Sequence, residues 1–183
     1  MSTAKHLSEP WHSFLRELDD SVDEPVRLDC IGGFVVTQFY GLERPTADID
    51  VIELAPRQAS DRLLMLASQG GPLHRKYRIY LDRVGVAVIP ENYADRLVEM
   101  VPGAYRHLRL MALDPYDIAL SKLERNNQKD RDDVKFLART IPLDLSVLEK
   151  RYRTELRWQL GAPDREDLTM RLWNEMLAGP EIK

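Results

Sequence analysis

The run Val26-Arg27-Leu28-Asp29-Cys30-Ile31-Gly32-Gly33, taken up again at Arg44-Pro45-Thr46-Ala47-Asp48-Ile49-Asp50-Val51-Ile52-Glu53-Leu54, decides how the fold is read. Val26 to Ile31 alternates apolar and polar with period two and stops at a Gly pair, which predicts a short strand closed by a tight turn. Phe34 to Tyr40 suits a short buried helix stopped by Gly41. Ala47 to Leu54 predicts a second strand. Successive strand side chains point to opposite faces, so Asp48 and Asp50 share one face while Ile49 and Val51 take the other. Two hard oxygen donors side by side suit Mg²⁺ or Mn²⁺, which prefer carboxylates, water and substrate phosphates to an all-protein cage. Such a pair can serve two-metal phosphoryl or nucleotidyl transfer, with ions roughly 3.5–4 Å apart. Gly32-Gly33 at a strand-to-helix turn would let backbone N–H groups and the positive helix end approach a phosphate.

Outward from this core the pattern stays mixed, then becomes helical. Trp11, Phe14, Leu15 and Leu18 have the spacing of one helical face. Pro56 to Gln69 predicts another helix, ended by Gly70-Gly71-Pro72. Tyr77, Ile79, Tyr80, Val84, Val86, Val88 and Ile89 predict one or two further strands between Tyr77 and Pro90, with a hairpin around Asp82-Arg83 as one option. Asp114-Pro115, an N-cap followed by Pro at the first helical position, opens a helix from Tyr116 to about Arg125. Further helices are expected over Arg131 to Arg139, Leu145 to Trp158 and Arg165 to Leu177. The expected fold is α+β: a small mixed β-sheet core with flanking helices over residues 1–113, and a helical C-terminal region over 114–183.

Composition excludes several classes. The 183 residues suffice for one compact domain, or one with a helical annex, but not for two large domains. At 44% hydrophobic and 31% charged, with nine Gly and eleven Pro, the chain is neither disordered nor fibrous. The single cysteine, Cys30, excludes an internal disulfide framework and fits a reducing compartment, so a cytoplasmic location is expected. No stretch approaches the roughly 20 apolar residues of a transmembrane helix, and Met1 to His6 lacks the basic-then-apolar pattern of a signal peptide. The net charge of −4 is unevenly placed: residues 1–61 hold five Lys/Arg against twelve Asp/Glu, and the remainder 21 against 18. An acidic front half beside a mildly basic back half suits metal binding next to a polyanion.

Gly-Gly, a short helix and then Asp-x-Asp, with Arg44-Pro45-Thr46 directly before the Asp pair, resembles the signature of the nucleotidyltransferase superfamily that includes the DNA polymerase beta-like enzymes. It looks closest to the bacterial nucleotidyltransferase-like toxins of the AbiE and MenT types and their uncharacterised relatives, in which Arg-x-Ser or Arg-x-Thr often precedes that strand. Leu120-Ser121-Lys122-Leu123-Glu124-Arg125 through Lys129-Asp130-Arg131-Asp132-Asp133-Val134 is similar to the Lys-x-x-x-Arg-Asp-x-x-Asp element of those families. Lys122 and Arg125, three apart, are expected on one face of a helix. The resemblance covers roughly Val26 to Leu137. It implies a Mg²⁺-dependent transfer of a nucleoside monophosphate from an NTP to an acceptor hydroxyl, with the ion on Asp48 and Asp50. It further implies nucleotide contacts from Gly32, Gly33, Arg44, Thr46, Lys122 and Arg125, and catalytic roles for Asp48, Asp50, Lys122 and Asp130. Lys122 would contact the triphosphate; Asp130 or Asp133 would orient a basic partner or the acceptor; Arg44 would clamp phosphate or pair with an Asp. The acceptor would be RNA, tRNA foremost, or a protein or small molecule, and a cognate antitoxin would be a partner.

One departure from the family pattern stands out. A third carboxylate usually sits on a later strand, and its natural place here, Val84-Gly85-Val86-Ala87-Val88, is apolar. Asp82 fills the role if the strand begins earlier. The alternative reading is a catalytically degenerate nucleotide-binding or protein-interaction module, or the antitoxin side of a pair. His6, His12, His74 and His107 lack metal-ligand spacing and are read as surface or packing residues. Cys30 is read as a buried structural thiol, and Trp158 and Trp173 as helical core. The cluster Tyr105-Arg106-His107-Leu108-Arg109 suits a phosphate backbone or a solvated strand or loop face equally.

Overall fold

The computed structural model of the chain describes residues 7–179; Met1–His6 and residues 180–183, and with them His6 and the leader reading, lie outside the described residues. Two compact units emerge: one takes the chain up to Val86 together with Leu97–Leu113, the other Ala87–Arg96 together with everything from Asp114 on.

The first unit is a five-stranded sheet with helices. Its elements run α1 (Trp11–Asp19), β1 (Val26–Ile31), α2 (Gly32–Phe34, widening to π geometry over Val35–Phe39), β2 (Asp48–Ala55), α3 (Arg57–Ala67), α4 (Pro72–Tyr77), β3 (Tyr80–Arg83), β4 (Val98–Glu99) and β5 (Leu108–Ala112). Strand order is β3-β2-β1-β5-β4. β1 pairs antiparallel with β2 and parallel with β5, β2 pairs parallel with β3, and β4 closes the far edge antiparallel to β5. One face is apolar: Leu28 and Cys30 of β1, Ile49, Val51 and Leu54 of β2, Leu81 of β3, and Leu108, Leu110 and Ala112 of β5 are buried. Phe14, Leu15, Leu18, Phe34 and Leu63 from the helices are buried as well, as an apolar sheet face covered by amphipathic helices requires. The opposite face is polar. The β1–β2 register shifts between Asp29 and Cys30, which pair with Glu53 and Val51, leaving Ile52 as the extra residue. That bulge puts Glu53 on the same face as Asp50 although the two are an odd number of residues apart.

Several expectations change. Tyr77 closes a helix instead of opening a strand, because Pro72 stands at the first helical position of α4 and Arg78, at φ 62°, ends it in the left-handed region. Only Tyr80–Arg83 is strand, and it pairs parallel with β2, so Asp82-Arg83 is no hairpin turn; Val84 to Val88 carries no strand. β5, which takes in only Leu108 and Arg109 of the Tyr105–Arg109 cluster, is a strand the sequence left as strand or loop. Its entry is pinned by the Asp19 carboxylate, which accepts the backbone N–H groups of Arg106, His107 and Leu108 at 2.9, 2.8 and 2.7 Å.

The second unit is helical: α5 (Pro115–Leu120), α6 (Gln128–Thr140), α7 (Leu145–Arg151, continuing in π geometry over Tyr152–Leu156) and α8 (Asp164–Ala178). Ala119, Leu120, Leu123, Val134, Leu148, Tyr152, Leu156, Met170 and Trp173 form its core. Asp114 caps α5 through the Asp117 N–H, and Asn127 and Asp130 form a reciprocal capping box on α6. Residues 87–96 are tied down here by charge. The Arg96 guanidinium donates to Asp117 (2.9 and 3.1 Å) and Glu155 (2.8 and 3.3 Å), and Arg151 joins Asp114 to Asp117. Trp173 is buried, but Trp158 is 64% exposed. A π segment adds a residue per turn and rotates the residues after it, which takes Trp158 off the buried stripe of Leu148, Tyr152 and Leu156.

Candidate active site

The sequence places Asp48 and Asp50 on one strand; the sheet adds their neighbours. In the parallel β2–β3 pair, Asp48 stands opposite Tyr80 and Asp50 opposite Asp82. Register partners share a face, so the four side chains form a two-by-two grid at the sheet edge, on the polar face. The electrostatics agree. Burial raises the Tyr80 hydroxyl above its ordinary pKa, and the charges of Asp48, Asp82 and Asp50 push it the same way.

The Gly pair meets β2 from the other side. Gly32 lies at the end of β1, with φ 74°, and a Cβ there would run into the Asp50 carboxylate. The position therefore asks for glycine twice, for its backbone angle and for this approach. A Cβ on Gly33 would sit 3.0 Å from the Thr46 hydroxyl and 3.1 and 3.3 Å from the Arg44 guanidinium. Thr46 in turn donates to Asp48 Oδ1 at 2.9 Å. Gly32, Gly33, Arg44, Thr46, Asp48 and Asp50, dispersed over nineteen residues of sequence, thus converge at one end of β1 and β2.

Two further carboxylates on this face escaped the sequence reading. Asp29 is fully buried in β1 and is opposite Glu53. Arg27 donates to its Oδ2 at 3.0 Å, whereas Oδ1, with Arg27 Nε 2.9 Å away but poorly aligned, accepts no hydrogen bond. Burial raises the Asp29 pKa against the pull of Arg27, and Glu53 adds to the rise. Cys30 is buried as expected, and burial, with Asp29 and Asp50 adding to it, pushes its thiol well up, so it is no nucleophile.

Among the described histidines, His74 meets the grid. Its ring packs edge-on against Tyr80 (centroids 5.2 Å apart, 79° between planes), and its Nδ1 accepts the Gly70 N–H at 2.8 Å.

The other block is in the helical unit. α5 ends at Leu120, so Lys122 and Arg125 lie in the turns that come after it and share no helical face. The Lys122 side chain is 4% exposed and that of Arg125 66%. The Lys122 ammonium sits 2.7 Å from Asp133 and 3.6 Å from Asp130, and Arg125 grips Asp130 through two hydrogen bonds of 2.6 and 2.7 Å. Burial works to raise Asp130, but the Arg125 hydrogen bonds and the Lys122 and Arg125 charges outweigh it and hold the carboxyl below its ordinary pKa.

Among the described residues no three His, Cys, Asp or Glu side chains form a ready-made metal cage. Asp48 and Asp50 are the residues that could hold a Mg²⁺ ion, which takes one or two carboxylates and leaves the remaining positions to water and phosphate. No helix among the described residues is long and apolar enough to cross a membrane. No curated protein and no solved structure matches the chain. One family profile does match, over residues 12–177, which takes in both the Gly-Gly/Asp-x-Asp site and the Lys122–Asp133 block. By that match the chain belongs to the family described as nucleotidyltransferase of unknown function (DUF6036).

Proposed function

We propose that the chain transfers a nucleoside monophosphate from an NTP to an acceptor hydroxyl, using the carboxylates of β2 and β3. The observation that carries this reading is the position of Asp82: the third carboxylate stands on the strand next to Asp50, in register with it and on the same face. A divalent cation, Mg²⁺ or Mn²⁺, held by Asp48 and Asp50 would neutralise charge on the triphosphate and at the α-phosphorus. Asp82 then takes the proton of the acceptor hydroxyl as its oxygen bonds to the α-phosphorus, and the bond to the β-phosphate breaks to release pyrophosphate. The first N–H groups of the helix at Gly32-Gly33 bind phosphate oxygens, and the bare Gly33 leaves room for it beside Arg44 and Thr46. Thr46 orients Asp48 through its hydroxyl. Lys122 is better suited to holding Asp130 and Asp133 in place than to touching phosphate, since its buried ammonium already faces both carboxylates. RNA, tRNA foremost, or protein as acceptor, and a cognate antitoxin as partner, rest on the sequence resemblance to the AbiE and MenT types.

The test incubates the protein with Mg²⁺, each α-labelled NTP in turn, total RNA and lysate, beside the Asp48→Ala/Asp50→Ala variant. Label moved by the wild type and not by the variant is the expected result, and the labelled band names base and acceptor. Nucleotide bound without any label moved would replace the enzyme with a degenerate binding module.

A further inference from the structure

The grid on β2 and β3 has a fourth member that carries no charge. Tyr80 stands opposite Asp48 and two residues before Asp82, so its phenol rises from the same face as the three carboxylates. β3 is an edge strand of the sheet, and Tyr80 is only partly buried. The hydroxyls of Tyr40, Tyr77, Tyr105, Tyr116 and Tyr152 all engage a protein partner. The Tyr80 hydroxyl makes no hydrogen bond among the described residues. Its ring is nevertheless held, edge-on to His74, whose Nδ1 is fixed by the Gly70 N–H. A phenol is a donor at neutral pH, and a held but unsatisfied donor facing carboxylates is a group prepared for a ligand.

Resting on the cation site of the proposed function, we infer that Tyr80 is a positioning residue of that site. Its hydroxyl hydrogen-bonds within the oxygen shell of a cation held by Asp48 and Asp50, on the side of the shell next to Asp82. The residue acts through the oxygens it orders, and its own phenol takes no part in bond making.

Terbium(III), a hard cation with oxygen ligands, tests this with two optical signals. Direct excitation of the ion reports binding to any site, and excitation through aromatic side chains reports an ion close to one. The wild type should bind terbium by direct excitation, and Asp48→Asn should abolish that binding. Tyr80→Phe should remove most of the aromatic-sensitised emission and weaken binding about three- to tenfold, the worth of one ordinary hydrogen bond. Wild-type emission and affinity in Tyr80→Phe would overturn the inference while leaving the cation site standing. Sensitised emission lost at unchanged affinity would place Tyr80 nearby and refute the role of its hydroxyl. A wild type that binds no terbium would sink the cation site itself, and Tyr80's role with it.

Discussion

Aspartates cluster in both units, and their surroundings differ in kind. In the helical unit Asp114, Asp117, Asp130 and Asp133 each face an arginine or lysine within 3.0 Å. On the sheet face, Asp48 accepts only a neutral hydroxyl, from Thr46, and neither Asp48 nor Asp82 has a cation at ion-pair distance among the described residues. Carboxylates paired with built-in cations hold a fold together. Carboxylates gathered on neighbouring strands without them repel one another, a cost that folding does not explain and a cation from solution would relieve.

The largest effect expected from this contrast falls on the helical unit. Lys122→Ala strands Asp133 in a buried position, and a buried pair broken from one side costs about 3–5 kcal/mol. Chemical denaturation should show that loss as a lower midpoint, and a midpoint within error of wild type would mean the Lys122 cluster does not hold the helices. On the sheet the same kind of edit should act on chemistry. Asp82→Asn is expected to slow nucleotidyl transfer about a hundredfold, or ~2.7 kcal/mol of barrier, by removing the proposed proton acceptor. Its stability should rise by a few tenths of a kcal/mol, because one of several like charges is gone. A destabilised Asp82→Asn with unchanged turnover would reverse the assignment of the two clusters.

The legible part of the sequence obeyed local rules. The period-two runs of β1 and β2 and the Gly pair declared themselves, because alternation and turn chemistry are properties of adjacent residues. So did the change to helices at Asp114-Pro115, where the cap and the proline act within one turn. Asp82 could only be left open, since its place depends on the parallel register of β3 against β2, and nothing near Asp82 in the chain encodes that pairing. Tyr80 and Asp29 were passed over for the same reason, being strand residues whose importance comes from the strand beside them. The spacing of Leu120 to Arg125 was helical, yet the chain leaves the helix at Ser121, where burying Lys122 against Asp130 and Asp133 overrides propensity.

The smallest effect is also the finest probe of the contrast, because the two faces should titrate with opposite sign. Asp167, on α8, is bonded by Arg157 and Tyr152, which hold its carboxyl at about 2 against an ordinary 3.8. A depressed carboxylate stabilises the fold once pH exceeds the unfolded value, and that contribution is lost as pH falls from about 4 toward 2. Asp29, on the sheet, is displaced upward, chiefly by burial. Its folded form resists ionisation, so its contribution is most favourable below the unfolded value and is eroded as pH rises through the raised one. Asp167→Asn should therefore lower the urea midpoint near neutrality and leave it unchanged near pH ~2, where the wild-type carboxyl is itself being protonated. Asp29→Asn should compare best with wild type near neutrality and lose that advantage in acid. Parallel pH profiles for the two variants would mean that Arg27 compensates Asp29 as fully as Arg157 and Tyr152 compensate Asp167, and the distinction between a cation-paired unit and a cation-poor sheet face would then be confined to Asp48 and Asp82.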